Sequence, residues 1–350
     1  MSFTVGGSTP QLTFADATVQ NTAALPLTGG SVSADITVNG ITVGRGAGAV
    51  SSNTVVGSGA LTSNSTGQYI TAVGRLSAPS TTAGANDAFG YASLYSNASG
   101  TNNVALGFSA GYYVQGNFNT AVGSGTLSAN YTLASGSYNT AVGGNALYNN
   151  TTASNNTAVG YQAGYSNTTS ASNTFVGRGA GYSSTGVGNV LIGDITGYSL
   201  TTGTYNTFIG APGSTGSCGY YVTTGSKNTI IGGYNGNQGG LDIRTASNNT
   251  VLSDGDGYIR YAAYGVSITT ASTRLAATCG VGTMVWFSGY NTSNGAQGWW
   301  LVAATNSTGV TTISSNNGTG LTVTFTQSSG SIFASTSSGT IAGLSYMFVD

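Results

Sequence analysis

Carboxylates are nearly the only groups with which this chain could do acid–base chemistry. It has 350 residues, eight of them Asp, with no Glu and no His. A pair of carboxylates flanking a sugar bond can hydrolyse it. Asp242, Asp254 and Asp256 could form such a pair only across subunits, so the chain is not expected to be an enzyme. Asp254-Gly255-Asp256-Gly257 resembles the start of a calcium loop. Such a loop closes on a bidentate Glu, and the reading here is a solvated turn. Ser-His-Asp relays, Cys-His pairs and zinc sites are excluded, because Cys218 and Cys279 are the only cysteines and there is no His. Those two are read as separate buried thiols, with a disulfide as the alternative. Two runs, Gly44-Arg45-Gly46-Ala47-Gly48 and Gly177-Arg178-Gly179-Ala180-Gly181, imitate dinucleotide loops. A true loop needs a following helix and an acid for the ribose, and no helix is expected here. Neither cofactor nor metal is expected.

Binding chemistry is better supplied than catalytic chemistry. Trp299 and Trp300 are neighbours, so a strand turns them to opposite faces. One belongs to a core; the other belongs to an interface or to a platform for a sugar. Tyr290, Asn291 and Asn294 are expected in a loop beside them. Aromatic faces with amide partners suit neutral saccharides, since neither needs charge.

The elements that must position these residues are set by a repeat. Asn139-Thr140-Ala141-Val142-Gly143 recurs as Asn156-Thr157-Ala158-Val159-Gly160 and Asn173-Thr174-Phe175-Val176-Gly177. Looser copies run from Gly44 to about Ser253, mostly spaced by 16 or 17 residues. A fixed period means one unit stacked on itself. The unit is too short for strand–helix–strand, and its Thr, Val and Tyr content favours strands. Each coil is expected to hold two short strands, Asn-Thr-x-Val and the segment after the Gly, such as Tyr161–Gly164. About 13 coils rising ~4.8 Å each make a rod near 60 Å long. The longer steps place insertions at Tyr131–Ser137 and Ser217–Thr224.

Alternation gives this strand two faces. The fourth position is uniformly apolar (Val142, Val159, Val176, Ile192) and is expected to fill the coil. The third position carries Ala and then larger residues. Phe175, Leu191, Phe208 and Ile230 are therefore expected to form an interface between subunits of a homotrimer. The closing Gly permits backbone that other residues resist. The leading Asn is read as a turn residue, with a stacked amide ladder as the alternative.

Flanking segments break the register. Residues 1–38 form an N-terminal mounting segment, with short strand candidates at Phe3–Val5 and Leu12–Phe14. Residues 39–258 form the shaft, and 259–350 a C-terminal domain. There, strands at Val266–Thr270, Thr283–Ser288, Gly298–Ala304, Val310–Ser314, Leu321–Thr326 and Leu344–Val349 predict a β-sandwich of jelly-roll type. The fold class is thus all-β: a parallel β-roll or β-solenoid shaft followed by a sandwich.

Composition narrows the partners. Charged residues make up 4% of the chain and the net charge is −1, so phosphate-driven nucleic-acid binding is not expected. No apolar run is long enough to span a membrane. Met1-Ser2-Phe3-Thr4 lacks the basic start and apolar core of a signal peptide, so synthesis in a cytoplasm is expected. With 21 Tyr and 11 Phe, the chain has apolar surface to bury, unlike most disordered chains.

Together the Leu25–Gly30 segment, Ile41–Gly46, Asn156–Gly164 and Leu252–Gly257 resemble the tail-fibre and related adhesion proteins of tailed bacteriophages. The coils are also similar to the heads of trimeric autotransporter adhesins. These motifs span about residues 25–260. The resemblance implies a homotrimer exposed on a virion, assembled in the host cytoplasm. One end would contact other virion proteins and the other a glycan or protein of the host surface. A head fibre or capsid decoration without a receptor role, and a bacterial surface adhesin, remain alternatives. The chain departs from autotransporters in lacking an export signal, a membrane anchor and coiled-coil heptads.

Overall fold

The computed structural model describes residues 35–263 apart from 130–131 and 214–215. Strands at 12–13 and 19–20, and strands between 273 and 349, are described as backbone. The described residues hold no α-helix, and a short 3-10 turn spans Ala47–Ala49.

The shaft is a parallel β-solenoid. Twelve short strands, from Thr54–Val56 to Thr250–Ser253, pair in parallel with every cassette position aligned on itself. Thr140, Ala141 and Val142 thus lie beside Thr157, Ala158 and Val159. At ~4.8 Å per strand this stack is about 53 Å long. The Gly44 copy of the cassette is not a coil. Ile36–Val38 and Ile41–Gly44 form a hairpin that pairs antiparallel to Thr54–Val56, so the hairpin caps the first coil instead of continuing the stack.

The two faces are the reverse of the sequence expectation. Third-position residues fill the coil: Val55, Ala105, Ala141, Phe175, Leu191, Phe208, Ile230 and Val251 are fully buried within one chain. Fourth-position residues point outward, and Leu106 is 50% and Ile231 45% exposed. Phe175, Leu191, Phe208 and Ile230 are therefore core residues, closed off from any neighbouring subunit. The physical reason lies on the opposite wall of each coil. Leu94, Leu127 and Leu147 occupy that wall in the coils whose strands carry Ala88, Ala121 and Ala141. Where the strand carries Phe or Leu, the wall carries Gly181, Gly197 and Gly219. A Cβ on Gly181 would stand 2.5 Å from the Phe175 ring, and one on Gly219 2.3 Å from the Phe208 ring. The larger strand residues are matched inside the coil, so they do not signal a larger core between chains.

The segment after the Gly is a run of turns, not a second strand. Gln162 and Leu147, with φ of 56° and 48°, illustrate its left-handed positions. Its N–H groups bond between coils: Gln162 donates to Gly144, Leu147 to Ala163 and Gly164 to Ala180. The turns therefore stack as a hydrogen-bonded wall of their own, which leaves few buried backbone groups without partners.

Asn forms the ladder. The backbone N–H of Asn103, Asn119, Asn139, Asn156, Asn173, Asn189, Asn206, Asn228 and Asn249 each donates to the Oδ1 of the Asn one coil earlier, at 2.8–3.1 Å. The left-handed turn falls on the residue before it, as at Tyr138, Asn155 and Tyr205. The closing Gly has the strained backbone expected of it: Gly143 has φ +127°. A Cβ there would stand 2.5 Å from the Gly160 carbonyl oxygen.

Insertions sit where the register allows. Gly213 and Gly216 bridge to each other, and Cys218 resumes the stack by accepting from the N–H of Gly197. The extra residues of that coil thus lie at 211–216, ahead of the expected segment. In the earlier long coil, Ala134 aligns beside Val114, so the additional residues fall between Ser128 and Ala134.

Beyond the last coil the pairing turns antiparallel. Ile259–Ala263 pairs with Thr250–Ser253 and with Ile341–Val349. Ile341–Val349 pairs with Met284–Asn291, which pairs with Gln297–Ala304 and so with Val310–Asn317. A separate sheet contains Thr273–Ala276, Ser331–Thr336 and Val323–Ser328. Near the N-terminus, Leu12–Thr13 pairs with Val19–Gln20. The expected strands at 3–5 and 266–270 lie outside the described residues.

Candidate functional surfaces

The shaft presents one regular outer face. Second- and fourth-position side chains of each strand point away from the coil. They form a column of mostly Thr beside a column of Val, Ile, Leu and Phe. Exposed members of the second column are Phe89, Leu106, Val159, Ile209, Ile231 and Leu252. Exposed apolar strips with polar borders mark interaction sites.

The turn wall presents a column of tyrosines. Tyr148, Tyr165, Tyr182, Tyr198 and Tyr220 stack at 4.8–5.6 Å with ring planes within 11°. Tyr95 and Tyr112 form a shorter stack at 4.7 Å. The spacing follows from the coil rise, since one ring per coil places rings about 4.8 Å apart. Burial, followed by the neighbouring Tyr182, Tyr148 and Tyr161, raises the Tyr165 hydroxyl above its ordinary value. The cassette reading did not single out this column, although Tyr165, Tyr182 and Tyr198 each stand five residues after a closing Gly.

Residues weighed for chemistry have structural occupations. Both Asp35 carboxylate oxygens accept backbone N–H groups, from Arg45 at 2.7 Å and Gly46 at 2.8 Å. A carboxylate of the chain itself thus occupies the first Gly-rich run. In the second run, the N–H groups of Gly177, Gly179 and Gly181 bond to Val159, Tyr161 and Thr196. Asp254 Oδ1 accepts from the N–H of Asp256 and Tyr258, and its Oδ2 pairs with Arg260. Asp242 pairs with Arg244 at 2.7 Å. The Arg244 hydrogen bond holds the Asp242 carboxyl below the usual carboxylate range. Among the described residues no cluster of metal-ligating side chains occurs, and no helix is long and apolar enough to cross a membrane. Burial pushes the Cys218 thiol up to about 12; Cys279 lies outside the described residues.

Of the residues selected from sequence for binding, Tyr290 and Asn291 end the strand Met284–Asn291 instead of lying in a loop. Tyr290 pairs with Gln297. Trp299 and Trp300 lie in Gln297–Ala304, opposite Ser288 and Phe287. Asn294 lies outside the described residues. No family model, curated protein or solved structure matches the chain.

Proposed function

We propose that this chain is a fibrous attachment protein of a virus particle, in which three copies pack their solenoids along a common axis. The observation that carries this reading is the outer apolar column from Phe89 to Leu252 on an otherwise polar, almost uncharged rod. A single solenoid has one interior, and the third-position row already fills it. The second apolar row gains burial only against another chain, at roughly 25 cal/mol per Å² of apolar surface removed from water. A periodic strip is best matched by an equally periodic partner, and a copy of the same chain supplies one.

In this reading the N-terminal segment contacts other virion proteins, and the C-terminal strands form a sandwich that meets the host surface. Trp299, Trp300, Tyr290, Asn291 and Asn294 are its contact residues for a glycan. Attachment is non-covalent, and three weak sites per fibre reinforce one another.

Two measurements test it. Sedimentation equilibrium of the full chain is expected to give three times the monomer mass; a well-folded monomer at micromolar concentration would remove the trimer. Gold-labelled antibody on intact particles is expected to mark projecting fibres. Label confined to the capsid surface, with no effect of the antibody on adsorption, would favour a decoration protein instead.

A further inference from the structure

We infer that copies of this shaft stand parallel and in register, locked by an ion pair between Arg75 of one copy and Asp87 of the next. The inference rests on the reading that three copies pack along their outer faces, and it names the contact that sets their direction and level.

The outer strip has two unlike flanks. On one side of the fourth-position column lie the second-position side chains. On the other lie the residues that follow each closing Gly. In the second-position column from Thr54 to Thr250, Asp87 is the only charged residue, so that flank carries no cation. The other flank carries Arg75, whose guanidinium carbon lies 5.6 Å over the Tyr91 ring, and Tyr91 stacks on Phe108 at 5.1 Å. Thr71 and Asp87 are partners on adjacent strands, and Arg75 follows Thr71 by four residues. About 13 Å of chain thus separates the two flanks, with Val73 and Phe89 between them. Among the described residues the ion pairs within the chain are Arg178–Asp194, Arg244–Asp242 and Arg260–Asp254. Arg75 and Asp87 belong to none of them, yet they border the apolar strip on a chain with 4% charged residues.

The strip is broadest at this level. Phe89, Tyr91, Val104, Leu106 and Phe108 are all between 37% and 60% exposed. Val104 adjoins Asp87 on the paired strand, and Phe108 adjoins Tyr91. The patch therefore joins the fourth-position column to both flanks, and a copy that covers it reaches both charges.

Symmetry decides which flank meets which. In copies related by rotation about an axis along the shaft, the second-position flank of each faces the post-glycine flank of the next. Closure of such a ring permits no axial shift between copies. Asp87 then stands one coil, about 4.8 Å, from the level of Arg75, a step that an arginine side chain spans. An antiparallel pair sets second-position flank against second-position flank, where Asp87 finds no cation. Cover by the neighbouring copy excludes water, which strengthens the attraction and makes an unpaired charge costly. Opposite charges placed this way fix partner and register.

The test compares the full chain with Asp87→Arg, Arg75→Asp and the two together by sedimentation equilibrium at low salt, with far-UV spectra reporting the coils. Each single reversal is expected to raise the concentration of half-dissociation at least tenfold. The exchanged pair is expected to return it to within threefold of the parent. Asp87→Asn serves if a reversal fails to fold, and is expected to shift dissociation in the same direction with a weaker dependence on salt. For register, Arg75→Cys and Asp87→Cys are made on a Cys279→Ser background and treated with a short bis-maleimide. The double variant is expected to give covalent trimers and neither single variant linked copies. Trimers whose dissociation ignores both reversals, or is not restored by the exchange, overturn the ion pair and leave the trimer standing. Linkage through Asp87→Cys alone overturns the parallel arrangement. A monomeric parent chain removes the trimer, and this contact with it.

Discussion

The ring of Phe175 lies against the backbone of Gly181 on the opposite wall of the same coil, so close that a Cβ on Gly181 would meet Cδ1 and Cε1 at 2.5 Å. One coil closer to the N-terminus than Ala158, the same two positions hold Ala141 and Leu147, both fully buried. In these two coils volume is exchanged between strand and turn wall; in the coil between them Ala158 and Gly164 are both small, and the Phe175 ring and Leu147 of the adjacent coils close on Gly164. Close-packed interiors register changes of a single methylene.

That exchange is testable by substitution. Phe175→Ala is expected to cost about 3–5 kcal/mol through the cavity it leaves. Gly181→Leu alone is expected to destabilise by more than the ~1–3 kcal/mol of ordinary overpacking, since it also forces a side chain onto left-handed backbone at φ +60°. The double variant is expected to lose less than the sum of the two. Chemical denaturation of all three checks this, and strict additivity would mean that the walls do not compensate.

The outer and inner rows separate when charge is introduced. Ile209→Lys with Ile231→Lys is expected to keep the far-UV spectrum of the shaft and shift its sedimenting mass toward the monomer. Phe175→Asp with Phe208→Asp is expected to unfold the coils, because both side chains are fully buried and an unpaired buried carboxylate is costly. A folded trimer from the second pair would contradict the placement of that row.

Asn156 accepts the N–H of Asn173 at 2.9 Å and donates to Asn139 Oδ1 at 3.1 Å. Asn156→Ala leaves a buried N–H unsatisfied, for about 1–3 kcal/mol. Asn156→Asp keeps an acceptor but sets a carboxylate against Asn139 Oδ1, which raises its folded pKa. The sign follows from linkage: the folded state holds the proton more tightly, so stability falls as pH rises from about 4, the unfolded value. Melting temperatures of this variant between pH 3 and 7 are expected to decline relative to the parent; a flat difference would show that the ladder does not bury this position.

Cys218 is expected to resist alkylation in the folded chain at pH 8, since its thiol is buried and titrates only at about 12. Thiolate is the reacting form. Peptide mapping after iodoacetamide should show Cys218 labelled only in denaturant. Rapid labelling under native conditions would indicate that this coil opens.

Asp242 offers a milder pH response. Its carboxyl is lowered chiefly by the Arg244 hydrogen bond, so the interaction is present above the unfolded carboxylate pKa and is lost as pH falls through the folded one. Both side chains are about half exposed. Acidification is therefore expected to move the NMR signals of the Leu241–Arg244 turn while leaving the global melting temperature nearly unchanged. A large fall in melting temperature that vanishes in Asp242→Asn would show a greater role.

Sequence alone determined the stacking. A spacing of 16–17 residues, a closing Gly and a strand of alternating character leave a solenoid as the simple way to pair every copy with the next. It also delivered the break from coils to antiparallel strands after Ser253. Tertiary structure decided which face is inside. Alternation separates Ala141 from Val142 but is symmetric between them. The interior is chosen by the facing wall, where Leu147 meets Ala141 and Gly181 meets Phe175. The reciprocal sizes of these positions were written in the chain, yet their meaning required the segment after each Gly to be a turn facing the strand. The tyrosine column follows for the same reason: residues a full coil apart become neighbours only once the coil closes.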